Sequence, residues 1–178
     1  MRVVAGRLRG RRLVAPRGTL TRPTSDRVRE ALFAVLGDVT GARVLDLFAG
    51  SGALGIEALS RGAAHATFVD GDPAAVGAVR RNLAALDLEA DAEAHRADAR
   101  AFLRNARGAG HEYDLVFVDP PYRRAAALAG ELSEALPPVL APGARVVAES
   151  DRRAPLELAL PLRDERRYGE TLIRIHAP

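Results

Sequence analysis

The sequence predicts an α/β fold built on a mostly parallel, seven-stranded sheet that ends in an antiparallel hairpin. From Arg43 onward, short apolar runs alternate with stretches of helical periodicity, which is the pattern of a parallel sheet with crossover helices. The last two apolar runs, Leu162–Tyr168 and Thr171–His176, flank Gly169 without a helical stretch between them. They therefore predict a hairpin at the edge of the sheet.

The individual elements follow from the same periodicities. We expect the five earlier strands at Arg43–Phe48, Ala66–Asp70, Ala92–Arg96, Tyr113–Val118 and Ala144–Glu149. We expect the intervening helices at Ala53–Arg61, Pro73–Leu86, Ala99–Ala106 and Ala125–Leu136. In such a doubly wound sheet, ligands bind at the carboxyl ends of the strands, so residues at the strand ends are the main candidates for function.

A basic extension precedes the sheet. Residues 2–5 and 12–15 resemble two short strands around Gly6 and Gly10, so an Arg-rich hairpin is expected. Thr24 or Ser25 can then cap a helix with Asp26 in its first turn. The apolar stripe of this helix is Val28, Ala31, Leu32, Val35 and Leu36, which leaves Arg27, Arg29 and Glu30 on the other side. We divide the chain into this extension, residues 1–40, and a main domain, residues 41–178.

Length and composition fit one domain with an appendage. The chain has 178 residues, of which 48% are hydrophobic. No apolar run approaches the ~18–20 residues of a membrane span, and the amino terminus is too rich in Arg for a signal peptide. We expect a soluble, cytoplasmic monomer that does not bind membranes.

The absence of Cys excludes several chemistries. With no Cys in the sequence, the chain has no disulfide, no thiolate metal site and no thiol nucleophile. The last point excludes enzymes that methylate C5 of a pyrimidine by adding Cys to the ring. The four His residues are scattered and have no metal-ligand spacing, so we expect no metal.

The positive charge is concentrated at the amino terminus. All 26 basic residues are Arg, and residues 1–29 contain nine of them against one acid, whereas the remainder carries a formal charge of −5. Arg binds phosphate through two parallel hydrogen bonds, so this asymmetry favours a nucleic-acid partner, although coding bias could explain the Arg total alone. The candidate RNA contacts are Arg7, Arg9, Arg11, Arg12, Arg22, Arg27, Arg29, Arg123 and Arg124.

A glycine-rich turn joins the first strand to the first crossover helix. The stretch from Asp46 to Gly55 matches the spacing G-x-G-x-x-G, which in many enzymes cradles a dinucleotide pyrophosphate. Here the strand ends in Asp46, which would repel a pyrophosphate and attract the ammonium and sulfonium groups of S-adenosyl-L-methionine. Two unit charges about 4 Å apart attract by ~4 kcal/mol at an effective dielectric constant of 20. Phe48, Gly50, Ser51 and Gly52 complete this candidate cofactor turn.

Acids also end the next strands. Asp70 lies twenty residues after Gly50, where a carboxylate can accept hydrogen bonds from both ribose hydroxyls. Asp98, followed by Ala99, could accept from the adenine amino group. Asp72 and Asp98 could instead simply cap the helices that follow them.

Asp119-Pro120-Pro121-Tyr122 directly follows the fourth strand and suits an exocyclic amine on a nucleobase. Such an amine is a poor nucleophile because its lone pair is delocalised into the ring. Asp119 and the Pro120 carbonyl can accept its two N–H bonds, and Tyr122 can stack on the base, which is worth ~1–3 kcal/mol. Arg123 and Arg124 could hold the flanking phosphates or form only a solvated helix start.

These motifs together resemble one known family. The segments are residues 2–13, residues 22–33, residues 46–62 and residues 117–124, and they resemble the bacterial RsmD family of ribosomal RNA guanine-N2 methyltransferases. The donor and base motifs occur in many methyltransferases, whereas Arg22 to Phe33 is specific. One departure is that Asp98 stands where some relatives carry Asn.

The resemblance implies a class I, Rossmann-like S-adenosylmethionine-dependent methyltransferase. It would methylate N2 of a flipped guanine in the 16S rRNA of the small ribosomal subunit, with Asp119 to Tyr122 as the guanine site. The same resemblance implies that Asp46, Gly50, Gly52, Asp70 and Asp98 line the donor pocket. The residues leave two alternatives open: an adenine-N6 methyltransferase on DNA or RNA, and a non-catalytic RNA-binding assembly factor.

Overall fold

The structure is a computed structural model that describes residues 1–16 and 25–178. Its helices are α1 (Asp26–Leu36), α2 (Ala53–Ser60), α3 (Pro73–Ala85), α4 (Ala99–Gly108) and α5 (Tyr122–Ala135), with short 3₁₀ turns at Glu89–Asp91 and Pro137–Val139. Its strands are β1 (Arg43–Leu47), β2 (His65–Asp70), β3 (Ala92–Arg96), β4 (Tyr113–Val118), β5 (Leu140–Asp151), β6 (Leu162–Tyr168) and β7 (Thr171–His176).

The strands form a single seven-stranded sheet in the order β3-β2-β1-β4-β5-β7-β6. Pairing is parallel from β3 to β5 and antiparallel where β7 joins β5 and β6. The predicted fold class is therefore confirmed, including the edge hairpin. Because β1 and β4 are neighbours in the sheet, the glycine-rich turn and the Asp119 motif emerge side by side, as the doubly wound topology requires.

Helices cover both faces of the sheet. On one face, α1, α2 and α3 pack over a buried cluster that includes Val44, Phe117 and Val147. On the other face, α4 and α5 cover a cluster that includes Leu45 and Val118. Successive residues of a strand point to opposite faces, so these clusters fix the face to which each residue at a strand end points.

The amino-terminal segment forms a tighter unit than the predicted hairpin. Its two arms pair through one isolated β-bridge, between Arg2 and Arg12, and the backbone N–H groups of Val3 and Leu13 donate to the carbonyl groups of Arg11 and Met1 at 2.9 and 3.0 Å. The carboxylate of Glu57, a buried residue of α2, accepts hydrogen bonds from the backbone N–H groups of Val4 and Ala5 at 2.7 and 2.9 Å. The segment is thus fastened to the main domain.

Helix α1 differs from its predicted orientation. Ser25 is its cap and accepts from the N–H of Val28, as one of the two predicted caps should; Thr24 lies outside the described residues. However, Val35 is 40% exposed, while Phe33 is buried and its ring lies 5.9 Å from that of Phe117. The helix is therefore rotated relative to the stripe read from the sequence.

Arg29 was predicted as a solvent-facing RNA contact, and this is wrong. Its side chain is fully buried, and Nη2 donates to the Arg2 carbonyl at 2.5 Å and to Asp26 at 2.7 Å. Burial lowers its pKa, although the charges of Asp26 and Glu57 oppose this effect. The physical reason is that the amino-terminal segment covers the second side of α1, so a polar-looking face becomes an interface.

No helix in residues 1–16 and 25–178 is long and apolar enough to cross a membrane.

Candidate active site

The penultimate residue of β1, Asp46, places a buried carboxyl group next to the glycine-rich turn. Asp46 is 2% exposed, and its Oδ2 accepts a hydrogen bond from the N–H of Gly55 at 3.0 Å. Burial raises the pKa of Asp46 to about 8. The hydrogen bond from Gly55 acts to lower this pKa, and the charge of Asp70 acts to raise it further. A buried carboxyl group of this kind ionises when a cation binds beside it.

The turn itself bends through left-handed backbone conformations. Phe48, Gly50 and Gly52 have φ angles of 62°, 57° and 77°. A Cβ atom at Gly55 would lie 2.4 Å from the ring of Phe68, which is buried against the start of α2. The third glycine of the motif therefore permits close packing of α2 on the sheet, and that packing brings the Gly55 N–H to Asp46.

Asp70 connects the second strand end to the glycine-rich turn. Its Oδ2 accepts from the N–H of Gly50 at 2.9 Å, and its Oδ1 accepts from the N–H of Asp72 at 2.8 Å. Each carboxylate oxygen has a further lone pair. The side chain thus lies beside the predicted cofactor turn and shapes it directly.

Asp98 and Asp72 both cap helices, which is one of the two roles that the sequence predicts for them. Asp98 accepts from the N–H groups of Arg100 and Ala101 at the start of α4, and Asp72 accepts from Ala74 at the start of α3. Burial acts to raise the pKa of Asp98, but the hydrogen bonds from Arg100 and Ala101 outweigh it and lower the pKa below the ordinary value. Ala99 is buried in the first turn of α4. Capping fixes the position of Asp98. Within the described residues, the hydrogen bonds to its carboxylate are all accepted by Oδ1.

A second carboxyl group with a raised pKa, that of the half-buried residue Asp119, directly follows the fourth strand. Burial raises the pKa of Asp119 well above its ordinary value, and the charges of Glu149 and Asp46 raise it further. Pro120 is buried, and Pro121 precedes the first residue of α5, Tyr122. The side chains of Tyr122, Arg123 and Arg124 lie outside the described part of the structure, so their predicted contacts stay predictions.

Glu149 belongs to the same group of acids, and we did not predict it from the sequence. It is 5% exposed near the end of β5. Phe117 pairs in register with both Asp46 and Val147; Glu149 lies two residues further along β5, and Asp119 is the first residue after β4, where the strand alternation would place it on the same side. All three carboxyl groups therefore belong to the α1–α3 face of the sheet. The signal that could have found Glu149 is the one that found Asp46 and Asp119: an acid at the end of an apolar strand.

The amino-terminal segment touches the glycine-rich turn directly. The side-chain amide of Asn82, a buried residue of α3, accepts from the N–H of Val14 at 2.8 Å and donates to the carbonyl groups of Val14 and Ser51 at 3.0 and 2.9 Å. The hydroxyl of Ser51 also lies 3.1 Å from the sulfur of Met1. The side chain of Asn82 thus links the amino-terminal segment to the glycine-rich turn.

The predicted RNA-contacting arginines fall into different environments. Arg9, Arg12 and Arg27 are exposed. Arg7 is exposed but forms an ion pair with Asp91 at 3.3 Å, and Arg11 donates to the carbonyl group of Ala85 at 2.7 Å. Arg22 lies outside the described residues. No group of acidic or His residues in the described ranges could hold a metal ion.

Comparison with known proteins agrees with this arrangement. A family model described as conserved hypothetical protein 95 matches residues 1–177. Ribosomal RNA small subunit methyltransferase D of Escherichia coli K12 is 46% identical over 125 residues, which cover 70% of this chain and 61% of that protein. The chain therefore belongs to the family that the conserved hypothetical protein 95 model describes, which is the RsmD family. The RsmD resemblance read from the sequence is thereby confirmed, and the match spans less than two thirds of the E. coli relative.

Solved structures extend the RsmD comparison to the whole fold. A hypothetical protein of Thermus thermophilus matches with a TM-score of 0.86 and 33% identity, covering 100% of this chain and 99% of that chain. A SAM-dependent methyltransferase of Agrobacterium tumefaciens matches with a TM-score of 0.63 at 19% identity, over 84% of this chain and 60% of that chain. The fold is therefore that of the class I methyltransferases.

Proposed function

We propose that the protein transfers a methyl group from S-adenosyl-L-methionine to the exocyclic N2 amine of a guanine in 16S rRNA. The observation that carries the proposal is the juxtaposition of the β1 and β4 ends. One holds Asp46 under a glycine-rich turn, and the other holds Asp119 followed by two prolines and Tyr122. Family membership supports the same activity.

The donor half fits a cationic cofactor better than a dinucleotide. Asp46 is a buried carboxyl group with a raised pKa, so a bound cation would favour its ionisation and gain an ion pair, whereas a bound diphosphate would gain no such partner. When bound, S-adenosyl-L-methionine supplies a methyl group on a sulfonium leaving group, so the transfer requires no metal. Asp46 would hold its charged end, and Phe48, Gly50, Ser51 and Gly52 would line it. Asp70 would accept from the ribose, with Asp98 and Ala99 beside the adenine.

The base half would hold and orient the amine. Asp119 and the Pro120 carbonyl accept the two N–H bonds of the guanine N2 amine, which fixes the direction of its lone pair. Pro121 keeps this corner rigid, and Tyr122 stacks on the flipped base. Positioning is the main contribution of such a site, since intramolecular orientation can supply ~7–11 kcal/mol of a barrier.

The amino-terminal extension, residues 1–40, would contact the RNA. Arg9, Arg12 and Arg27 are exposed on it, and Arg7 and Arg11 could exchange their present partners for phosphates. The substrate in this proposal is the 16S rRNA of the small ribosomal subunit, and the enzyme acts as a cytoplasmic monomer.

Nucleoside analysis tests the proposal. Small subunits from cells that lack the enzyme are incubated with the protein and labelled S-adenosyl-L-methionine, and the 16S rRNA is digested and analysed by mass spectrometry. We expect label in N2-methylguanosine. Label in N6-methyladenosine would instead establish the adenine-N6 activity, and absence of both transfer and donor binding in a folded protein that still binds the RNA would establish a non-catalytic RNA-binding factor.

A further inference from the structure

Asn82 is a buried polar residue on the side of α3 that faces the glycine-rich turn. It is 2% exposed and lies three residues after Val79, whose methyl group would lie 3.2 Å from a Cβ atom at Gly52. Residues three apart on a helix lie on the same face. The side chain of Asn82 therefore reaches the turn from the interior of the protein, and not from the solvent side on which a cofactor would bind.

Backbone groups fix the way in which the amide of Asn82 is turned. Its Oδ1 accepts from the N–H of Val14 at 2.8 Å, and its Nδ2 donates to the carbonyl groups of Val14 and Ser51 at 3.0 and 2.9 Å. Exchanging the oxygen and the nitrogen would set an acceptor against two carbonyl groups and a donor against an N–H. Both N–H bonds of the amide are thus used, one by the amino-terminal segment and one by the turn.

The peptide that joins Ser51 to Gly52 is held at both of its ends. The Ser51 carbonyl accepts from Asn82, and the Gly52 N–H donates to the Ala49 carbonyl at 2.7 Å. Gly52 itself has a φ angle of 77°, and glycine adopts either hand of backbone with little cost, so this peptide can rotate unless hydrogen bonds hold it. Phe48, with a φ angle of 62°, adds a conformation that persists only when its surroundings specify it.

We propose that Asn82 is a positioning residue for the methyl donor, because it holds the Ser51–Gly52 peptide in the orientation that the cofactor meets. The proposal rests on the proposed function, since it takes the glycine-rich turn to be the donor site. Asn82 acts through the Ser51 carbonyl and does not touch the cofactor. Without its amide, the empty turn occupies other conformations as well, and the apparent Kd of the donor rises by the inverse of the fraction that remains competent.

The variant Asn82→Ala tests this role by removing all three hydrogen bonds of the amide. We expect the Kd of S-adenosylhomocysteine, measured by titration calorimetry, to rise by about tenfold, which corresponds to a competent fraction near one tenth. The KM for S-adenosyl-L-methionine should rise by the same factor, whereas kcat at saturating donor should stay within about twofold, because the bound cofactor restores the turn. Asn82→Asp keeps the volume of the side chain and loses at least one donated bond, so its Kd should change in the same direction.

Ser60→Ala is the matched control, because it also removes hydrogen bonds between the amino-terminal segment and the main domain. Ser60 is 3% exposed, and its hydroxyl group accepts from the N–H of Leu8 at 3.0 Å and donates to the carbonyl group of Ala5 at 2.6 Å. Neither of these bonds involves the glycine-rich turn. Ser60→Ala should therefore lower the melting temperature, as Asn82→Ala does, but leave the Kd of S-adenosylhomocysteine within about twofold of wild type.

Hydrogen exchange in the empty protein tests the same role without a cofactor. The N–H of Gly52 should exchange at least about tenfold faster in Asn82→Ala than in wild type, since its peptide is no longer held at the carbonyl end. The N–H of Leu45, in the buried strand β1, serves as the internal reference for a general loss of stability. Relative to that reference, exchange at Gly52 should be unchanged in Ser60→Ala.

The outcomes separate the role of Asn82 from the proposed function. A donor Kd and a relative Gly52 exchange rate in Asn82→Ala that match those of Ser60→Ala would overturn the positioning role, and so would a fall in kcat with the Kd unchanged. Failure of both Asn82 variants to fold would leave this residue a purely structural role and would overturn the proposal as well. A wild-type protein that does not bind S-adenosylhomocysteine would instead overturn the proposed function, and exchange at Gly52 would still decide whether Asn82 holds the turn.

Discussion

Asp46 offers the most quantitative test of the donor site, through the variant Asp46→Asn. The folded protein holds this carboxyl group at a pKa of about 8, whereas an unfolded Asp titrates near 3.8. Because the folded-state pKa is raised, the stabilisation associated with the proton is complete below about pH 4 and is lost as pH rises through about 8. Between these limits the folded state retains a proton that the unfolded state has released.

The magnitude follows from proton linkage. One proton held only in the folded state lowers the free energy of unfolding by about 1.4 kcal/mol per pH unit as the pH rises, or by about 3.6 kcal/mol between pH 5 and pH 8, where the slope lessens near the folded-state pKa. Asn is neutral throughout this range, and its side-chain oxygen can still accept from Gly55. We therefore expect the stability of Asp46→Asn, measured relative to wild type, to increase with pH by that amount.

The assay is urea unfolding of both proteins at several pH values, with no cofactor present. Asp87→Asn is the matched control, since Asp87 is exposed at a left-handed position that Asn also tolerates, and its curve should parallel that of wild type. Parallel curves for Asp46→Asn and wild type would refute the raised pKa. Calorimetry adds a second reading: cofactor binding should release close to one proton from wild type near pH 7, and none from position 46 in the variant.

Three further predictions concern other parts of the site. Asp119→Ala should bind S-adenosyl-L-methionine as wild type does but lose methyl transfer by at least ~100-fold, since it removes an acceptor of the amine; comparable turnover would refute its role. Gly55→Ala should destabilise the protein by ~1–3 kcal/mol in urea unfolding, because the added methyl group meets a buried ring. Gly130→Ala, in open space on α5, should instead be neutral or stabilising, and equal effects would contradict the packing argument. Replacing both Arg9 and Arg12 with Ala should reduce the slope of log affinity against log salt for RNA by about 1.5, or about 0.7–0.9 for each contact, and leave donor binding unchanged; an unaltered slope would exclude both as phosphate contacts.

The sheet and most of the site could be predicted because they depend on local signals. Periodicity located β1, β4 and the carboxy-terminal hairpin, and glycine spacing located the cofactor turn. The rule that parallel strands present their carboxyl ends at one edge then brought Asp46 and Asp119 together. Glu149 also lies near the end of an apolar strand, but no motif surrounds it in the sequence.

The failures have one physical origin, which is packing between distant segments. Val3 and Leu13 are buried in the main core, although their surroundings in the sequence are strongly basic. Their segment covers one side of α1, so Arg29 becomes buried there, while Val35 lies on the uncovered side. Helical periodicity gives the width of an apolar stripe, but a second covering layer changes which residues it includes.

The central claim is that a cationic methyl donor and a flipped guanine meet between the ends of β1 and β4. A crystal structure with S-adenosylhomocysteine and an RNA fragment containing the target would test it most directly. The account predicts the cofactor amine beside Asp46 and the guanine N2 hydrogen-bonded to Asp119 and the Pro120 carbonyl, placed to approach a donor methyl at roughly 3–3.5 Å. A base bound elsewhere on the sheet, or a glycine-rich turn that does not contact the cofactor, would contradict it.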